Sequence, residues 1–391
     1  MIGRMTIVHM DLSIVIPTFN EKNNVRLITM RIMTILNREN CQYEILFVDD
    51  SLDDTPTMLK QLCQQFSCVR YIHRENESGL ASAVVKGFCH SQGTQIIVMD
   101  GDLQHPPELI PLILKRLVQA DIVIPSRFVP GGSDGGLNIV RKLISGIARG
   151  IGCISLKKLR PISDSTSGYF ALKRSVIDRA HLDPIGWKIL IEILIKGHYR
   201  TIHEIPYTFV AREAGESKMS IKEQYNYIRH IARLVSHSPE DRKLYSFCII
   251  GALGVFVNLF CLHLFLKLFE MGQLSASINA SCIAMIHNFL WNNNVTWREC
   301  KQQVLWRRII QFSQFSLFCG LGIAITTLFA QIFLSLGWNI YVGQLLGISA
   351  SISWNFFANS KWTWPAVYNE TNIEELKPIV TQEIPSKISW N

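Results

Sequence analysis

Beyond Lys243 the chain changes character, and this change limits its architecture more than any other feature. Four apolar runs follow, at 244–268, 273–291, 309–336 and 340–358. Each is near or above the ~20 residues that cross a hydrocarbon core as a helix. Up to Lys243 the chain reads instead as a soluble α/β domain, with short apolar runs ending in polar clusters. The pattern predicts three regions. A soluble domain covers 1–236, a four-span helical bundle 237–365, and a polar, disordered tail with Pro378 and Pro385 covers 366–391. No long apolar core near the start suggests a signal peptide.

Net charge is +8, and its placement matters more than its size. Arg229, Arg233, Arg242 and Lys243 precede the first apolar run, and Arg298, Lys301, Arg307 and Arg308 separate the second from the third. The connection 335–339 has no charge. By the positive-inside rule the first domain, the middle loop and the tail are cytoplasmic, facing into the cell across a plasma membrane if the source is prokaryotic. The basic excess therefore reads as attraction to anionic lipid. No nucleic-acid-binding motif is present. The ten cysteines show no C-x-x-C and no Cys/His metal spacing, as expected of reduced thiols.

The second half repeats itself. Asn288-Phe289 through Thr296-Trp297 recurs as Asn355-Phe356 through Thr363-Trp364, an offset of 67 residues (288 to 355). Phe247 and Gly254 have counterparts in Phe315 and Gly322. Two helical hairpins in the same orientation fit this pattern, with Trp297, Trp362 and Trp364 in an aromatic belt. Asn258, Asn279, Asn288 and Asn355 lie inside apolar runs. Interhelical hydrogen bonding accounts for such residues; a polar path for a lipid-linked headgroup is the functional alternative.

In the first half the most informative stretch is MDGDLQHPPE, from Met99 to Glu108. An apolar strand ends there in Asp100 and Asp102. Two carboxylates at i and i+2 share a face of a strand, and a turn can keep them together. Such a pair repels itself and needs a cation. Hard oxygen donors favour Mg²⁺ or Mn²⁺, which favour a diphosphate. An ordinary Asp-Gly-Asp turn is the competing explanation, and the following Gln104, His105 and Pro106-Pro107 make it the weaker one. Strands ending in PTFNE (17–21) and VDDS (48–51), and the helix start GLASA (79–83), put further polar groups where open α/β sheets bind ligands.

With PSRF (125–128), the segment Ser163 to Phe170 and GESK (215–218), this ordered set resembles a family 2 glycosyltransferase of the dolichol-phosphate mannose synthase type, from about Leu12 to Val235. VDDSLDDT is one residue shorter than the commoner VDDGSxDGT form. The second half resembles the GtrA-like four-helix membrane domain. The resemblance implies a GT-A-type nucleotide-sugar-binding α/β domain followed by a transmembrane bundle of four spans. It implies inverting sugar transfer to a polyprenyl (dolichyl) phosphate, most commonly mannose from GDP-mannose, with UDP-glucose as the close alternative donor.

The residues carried over are these. Asp100, Asp102 and Gln104 would hold Mg²⁺ or Mn²⁺. Pro17, Phe19 and Glu21 match base-binding positions, and Asp50 the ribose region; Phe19 could equally be core, and Asp49, pointing the other way, structural. Arg127, Arg141 and Ser145 would face the acceptor phosphate, and Arg212 and Lys218 complete the charge that the reaction needs. Asp164 would orient loops or contact donor hydroxyls. The acceptor phosphate, with a second pKa near ~6, is already an anionic nucleophile, so no general base is required. Two basic amphipathic stretches, 137–154 and 221–235, the second carrying Arg229, His230 and Arg233, would lie in the membrane interface or else face a core and keep a wet basic face.

The expected partners are a nucleotide-sugar donor, a polyprenyl-phosphate acceptor and membrane lipid, with no nucleic acid; a homo-oligomer stays open. A processive polysaccharide synthase is disfavoured by the lack of Q-x-x-R-W. A lipid-sugar transporter or scaffold with a binding-only first domain is disfavoured by the intact D-x-D and basic set.

Overall fold

The computed structural model describes residues 10–39, 41–75, 77–135, 139–209, 221–365 and 378–382. They fall into two compact units. One runs to Val235 and includes strand residues near the carboxyl end; the other begins at Ser236.

The first unit is built from β1 (Leu12–Thr18), α1 (Val25–Leu36), β2 (Tyr43–Asp49), α2 (Thr55–Gln65), β3 (Val69–His73), α3 (Leu80–His90), β4 (Gln95–Val98), α4 (Ile110–Leu117), β5 (Ile122–Ser126), α5 (Ile139–Ser155), β6 (Phe170–Lys173), α6 (Ile189–Lys196), β7 (Thr201–Pro206) and α7 (Ile221–His237). A last strand, β8 (Ile379–Gln382), joins them. The sheet order is β3-β2-β1-β4-β6-β5-β7-β8. All neighbours run parallel except β6, which is antiparallel to both β4 and β5.

Alternation along the strands supplies two cores. Val15, Leu46, Val48, Ile96 and Val98 belong to one, and Ile14, Ile16, Ile45, Phe47 and Ile97 to the other. Burial on both faces explains why these strands read as continuous apolar runs. Helices α1, α2 and α4 contribute to the second core, α3, α6 and α7 to the first.

Helix α7 buries Tyr227, Ile231 and Leu234 in that core. Its Tyr225 and Ile228 stay exposed. His230, expected on a wet basic face, is fully buried, because α6 offers it a carboxylate. Glu192 accepts from His230 Nε2 at 2.7 Å, Lys196 Nζ at 2.6 Å and the Asp183 amide at 2.7 Å. Burial alone would raise the Glu192 pKa. The hydrogen bonds from His230, Lys196 and Asp183 outweigh it and bring it from an ordinary 4.5 to about 2. A folded-state value below the unfolded one stabilises the protein above the unfolded value, and this stability is lost as pH falls through the folded one. Between pH ~4.5 and ~2 the native state should therefore lose up to about 3 kcal/mol from this group. Thermal midpoints from about pH 6 downwards should fall more steeply in the native protein than in Glu192→Gln, which starts lower. Parallel acid limbs would contradict this.

The tail does not remain wholly apart from the fold, as a disordered segment would. Residues 379–382 add β8 in parallel to the edge of β7, with the Ile379 amide donating to the Arg200 carbonyl at 2.9 Å. Ile-Val-Thr suits a strand, and Val380 packs on the first core. The rest of the tail lies outside the described residues.

Among the described residues the second unit has four α-helices: α8 (Pro239–Lys267), α9 (Gln273–Trp291), α10 (Leu305–Ser335) and α11 (Ile340–Ala358). Among the described residues, α8 and α10 alone are long and apolar enough to cross a membrane by length and composition. Helices α9 and α11 carry Ser, Asn and Gln among their apolar residues, which lowers their hydropathy.

The repeat is real in three dimensions. A Cβ on Gly254 would sit 2.2 Å from Asn288 Oδ1, and one on Gly322 would sit 2.4 Å from Asn355 Nδ2. Each glycine thus lets the next helix of its hairpin approach closely. Each hairpin ends in one wide turn, where Thr296 Oγ1 donates to Asn292 Oδ1 and Thr363 Oγ1 to Asn359 Oδ1, both at 2.8 Å. Asn258 donates across to Ser281 Oγ at 3.1 Å, whereas Asn279 bonds its own helix at Ser275. Trp297 and Trp364 are not belt residues. They are buried and stack on each other at 4.6 Å and 3°, so the repeats meet in an aromatic core. Trp362 is the exposed one.

Candidate active site

Strand β1 lies between β2 and β4, and the chain leaves its carboxyl end first towards β2 and later returns at β4. Such a switch of direction opens a crevice beyond the strand ends. PTFNE, VDDS and MDGDLQ all emerge there because each follows a strand of this parallel group.

Strand β4 ends at Val98, Met99 is buried, and Asp100 to Leu103 form a turn. Leu103 takes a positive φ of 64°, and the Gln104 amide donates to Asp102 Oδ1 at 3.2 Å. This local bond holds the second carboxylate in the turn. The Asp100 amide donates to His105 Nδ1 at 3.0 Å. His105 is buried and stacks on Tyr169 at 5.1 Å, and the Tyr169 hydroxyl donates to the Pro106 carbonyl at 3.1 Å. His105 therefore pins the turn from behind. A Cβ on Gly168 would lie 3.1 Å from Asp100 Oδ2. A side chain there would have to push that carboxylate aside by a few tenths of an ångström, so glycine suits the close approach of loop 163–168.

The adjacent acids of β2 point apart, as strand geometry requires. Asp49 is fully buried and accepts from Thr18 Oγ1 at 3.0 Å and Ser51 Oγ at 2.5 Å, with His73 Nδ1 at 2.8 Å. Asp50 is forked by Arg74, whose Nε and Nη2 donate at 2.6 and 2.5 Å, and also accepts from the Gly79 amide at 3.0 Å. Asp50 thus fastens the start of α3 to β2, and the sequence reading did not include Arg74. Pro17 lies within β1, Phe19 is exposed, and the Glu21 carboxylate accepts from Asn24 Nδ2 at 2.7 Å.

On the other side of the turn, Arg127 follows β5. Its Nε and Nη2 donate to Asp164 at 2.9 and 3.2 Å, and Asp164 is fully buried. Burial works against the Arg127 charge, but Asp164 more than offsets it and raises the pKa. Phe128 lies between two guanidinium groups, 5.2 Å from that of Arg127 and 4.8 Å from that of Arg149, which donates to the Ser163 carbonyl at 2.9 Å. Ser145 is on α5, half-buried. The Arg141 side chain and all of Arg212 and Lys218 lie outside the described residues.

Lys188, which sequence reasoning missed, belongs to this group. Its Nζ donates to the Thr166 carbonyl at 3.1 Å. Burial, then Arg127, lower its pKa, while Asp164 and Asp100 pull the other way. A lone lysine after a tryptophan carries no motif. Only the fold brings it beside loop 163–168.

Among the described residues no three His, Cys, Asp or Glu side chains cluster as a metal cage. Two carboxylates and a carboxamide fit a hard divalent ion that keeps water and takes its other oxygens from a substrate diphosphate. Asp100, Asp102 and Gln104 suit Mg²⁺ or Mn²⁺ in that way.

The site is thus a paired-acid turn at a sheet's switch point with Arg127 and Lys188 held on the neighbouring loop 163–168, and the comparisons give its class, a glycosyltransferase. The model of glycosyl transferase family 2 matches residues 13–179, and that of the GtrA/DPMS transmembrane domain matches residues 246–374. A dolichol-phosphate mannosyltransferase from Pyrococcus furiosus is 38% identical over 359 residues, 91% of this chain and 99% of that one. Another from Saccharomyces cerevisiae is 34% identical over 235 residues, 57% of this chain and 86% of that one. Among solved structures, glucosyl-3-phosphoglycerate synthase from Mycobacterium tuberculosis, in complex with Mn²⁺, UDP-glucose and phosphoglyceric acid, aligns at a TM-score of 0.43 and 18% identity, over 58% of this chain and 78% of that one. The chain belongs to the dolichol-phosphate mannosyltransferase family within glycosyl transferase family 2.

Proposed function

We propose that this chain transfers mannose from GDP-mannose to a polyprenyl phosphate of the dolichyl type, with inversion, at the cytoplasmic membrane face. The observation that carries this is the D-x-D turn at the switch point, packed against the Gly168 loop whose Asp164 holds Arg127. Acidic and basic halves of one crevice suit a charged donor and a charged acceptor. The acceptor phosphate oxygen attacks the anomeric carbon in line, and the nucleoside diphosphate leaves. Bound at Asp100, Asp102 and Gln104, Mg²⁺ or Mn²⁺ would neutralise charge on the diphosphate. Arg127 and Lys188, with Arg141, Arg212 and Lys218, supply positive charge for the acceptor and the departing group. Pro17, Phe19 and Glu21 line the rim proposed for the base.

Strand β8 bears on topology. Residues 379–382 share a sheet with the proposed catalytic residues, so the intervening helices cross the membrane an even number of times. Two spans, α8 and α10, and four spans both meet this condition; the proposed count is four, with α9 and α11 as the shorter, more polar ones. The outward residues Val255, Phe256, Leu259 and Phe260 of α8 suit lipid contact.

Membranes containing the chain, given labelled GDP-mannose or UDP-glucose and a series of polyprenyl phosphates, test the reading. Labelled mannosyl lipid is the expected product. Glucosyl lipid would replace the donor assignment, and the absence of any labelled lipid would overturn the proposal.

A further inference from the structure

Glu204, on β7 between β5 and the edge strand β8, is fully buried and is not among the residues proposed to touch substrate. Its carboxylate holds the beginning of loop 163–168. Oε1 accepts from the Ser163 amide at 3.0 Å, the Ser163 hydroxyl at 2.6 Å and the Asp164 amide at 3.2 Å; Oε2 accepts from the Ser163 amide at 3.2 Å and from Gln382 Nε2 at 3.4 Å. Ser163 Oγ also meets Ser126 Oγ, one residue before Arg127, at 2.8 Å. The same carboxylate is thus bonded directly to the loop that carries Asp164 and to the carboxyl-terminal strand, and through Ser163 to the end of β5 next to Arg127. β8 pairs Glu204 with Gln382 in register, and Thr381 Oγ1 lies 2.9 Å from His203 Nδ1.

We propose that Glu204 is a positioning residue for acceptor binding, braced by strand β8, so that the end of the chain beyond the apolar helices sets the placement of Arg127. The physical reason is that a buried carboxylate with several donors is rigid only while its surroundings stay dry and its bonds stay made. Without β8 the β7 edge opens to water and Glu204 loses Gln382. The slack passes through the Ser163 and Asp164 amides to the guanidinium. The acceptor part of this inference rests on the reading of Arg127 given above; the coupling of β8 to the loop does not.

The test uses the full-length protein in detergent or membranes, with Glu204→Ala, Glu204→Gln and a chain shortened to residue 377. Amide hydrogen exchange across 163–168 should rise in Glu204→Ala and in the shortened chain, and return close to the native rate in Glu204→Gln, which keeps an acceptor oxygen. The acceptor KM should rise about tenfold in Glu204→Ala, by the loss of bonds to a charged acceptor, and less in the shortened chain, while the donor KM holds. Native exchange at 163–168 in the shortened chain would overturn the coupling, whether or not Glu204→Ala folds. Equal rises in donor and acceptor KM would overturn the positioning role. If the native protein transfers no sugar to lipid, the functional reading falls, and the exchange comparison still decides the coupling.

Discussion

Asp102→Asn should lower turnover more than a hundredfold while leaving the fold intact. Asp102 sits in a turn just past the end of β4, and its Oδ1 accepts a local bond from the Gln104 amide. An asparagine oxygen can keep that bond. It cannot supply the negative charge that the D-x-D pair offers a divalent ion, and losing one such electrostatic contact in the transition state costs on the order of 3 kcal/mol. Turnover of purified enzyme with labelled GDP-mannose and acceptor, with and without added Mg²⁺ or Mn²⁺, measures the effect, and the thermal midpoint checks the fold. The variant should need far more ion for any residual rate. Near-native turnover after chelation, in either protein, would remove the metal role of Asp100, Asp102 and Gln104 together.

Arg127→Ala should reduce both stability and acceptor binding, for separable reasons. The structure commits two guanidinium nitrogens of Arg127 to Asp164, which is fully buried. Removing the arginine takes away the cation bonded directly to that carboxylate, leaving Lys188 as the nearby positive charge, and breaking one side of a buried pair costs about 3–5 kcal/mol. The thermal midpoint should drop by many degrees, accordingly. Adding Asp164→Asn to an apolar replacement, Arg127→Leu, removes that carboxylate's charge and should restore much of the midpoint. The acceptor KM should stay high in the double variant, because the positive charge is still missing. Midpoints and kinetics of the two single variants and the double form a cycle that isolates the pair. A single variant with a native midpoint would show that Asp164 has another partner. A double variant with a native acceptor KM would detach Arg127 from the acceptor.

The D-x-D turn was legible because its chemistry is local. Two acids, a carboxamide and a proline stop lie within one strand end and one turn, so spacing alone brings them together. That Asp49 and Asp50 meet different partners was legible for the same reason, since neighbours along an extended segment point apart. The partners of those groups were not. Arg74 is separated from Asp50 by a helix and a strand, and Lys188 reaches loop 163–168 from a different element altogether. His230 read as a surface cation because its own helix is basic; only the packing of α7 on α6 shows that Glu192 waits for it.

Hydropathy by itself determined that this chain has a sheet domain followed by apolar helices, because apolar side chains must leave water whatever the topology. The repeat of Asn, Phe, Thr and Trp likewise announced two similar hairpins. Tertiary structure alone decided that Trp297 and Trp364 stack in the middle of that repeat instead of marking its edge, and that residues 379–382 return to extend the sheet at β7. Both depend on contacts between residues far apart in the chain. Such contacts follow from which surfaces meet, and no periodicity in the sequence records them.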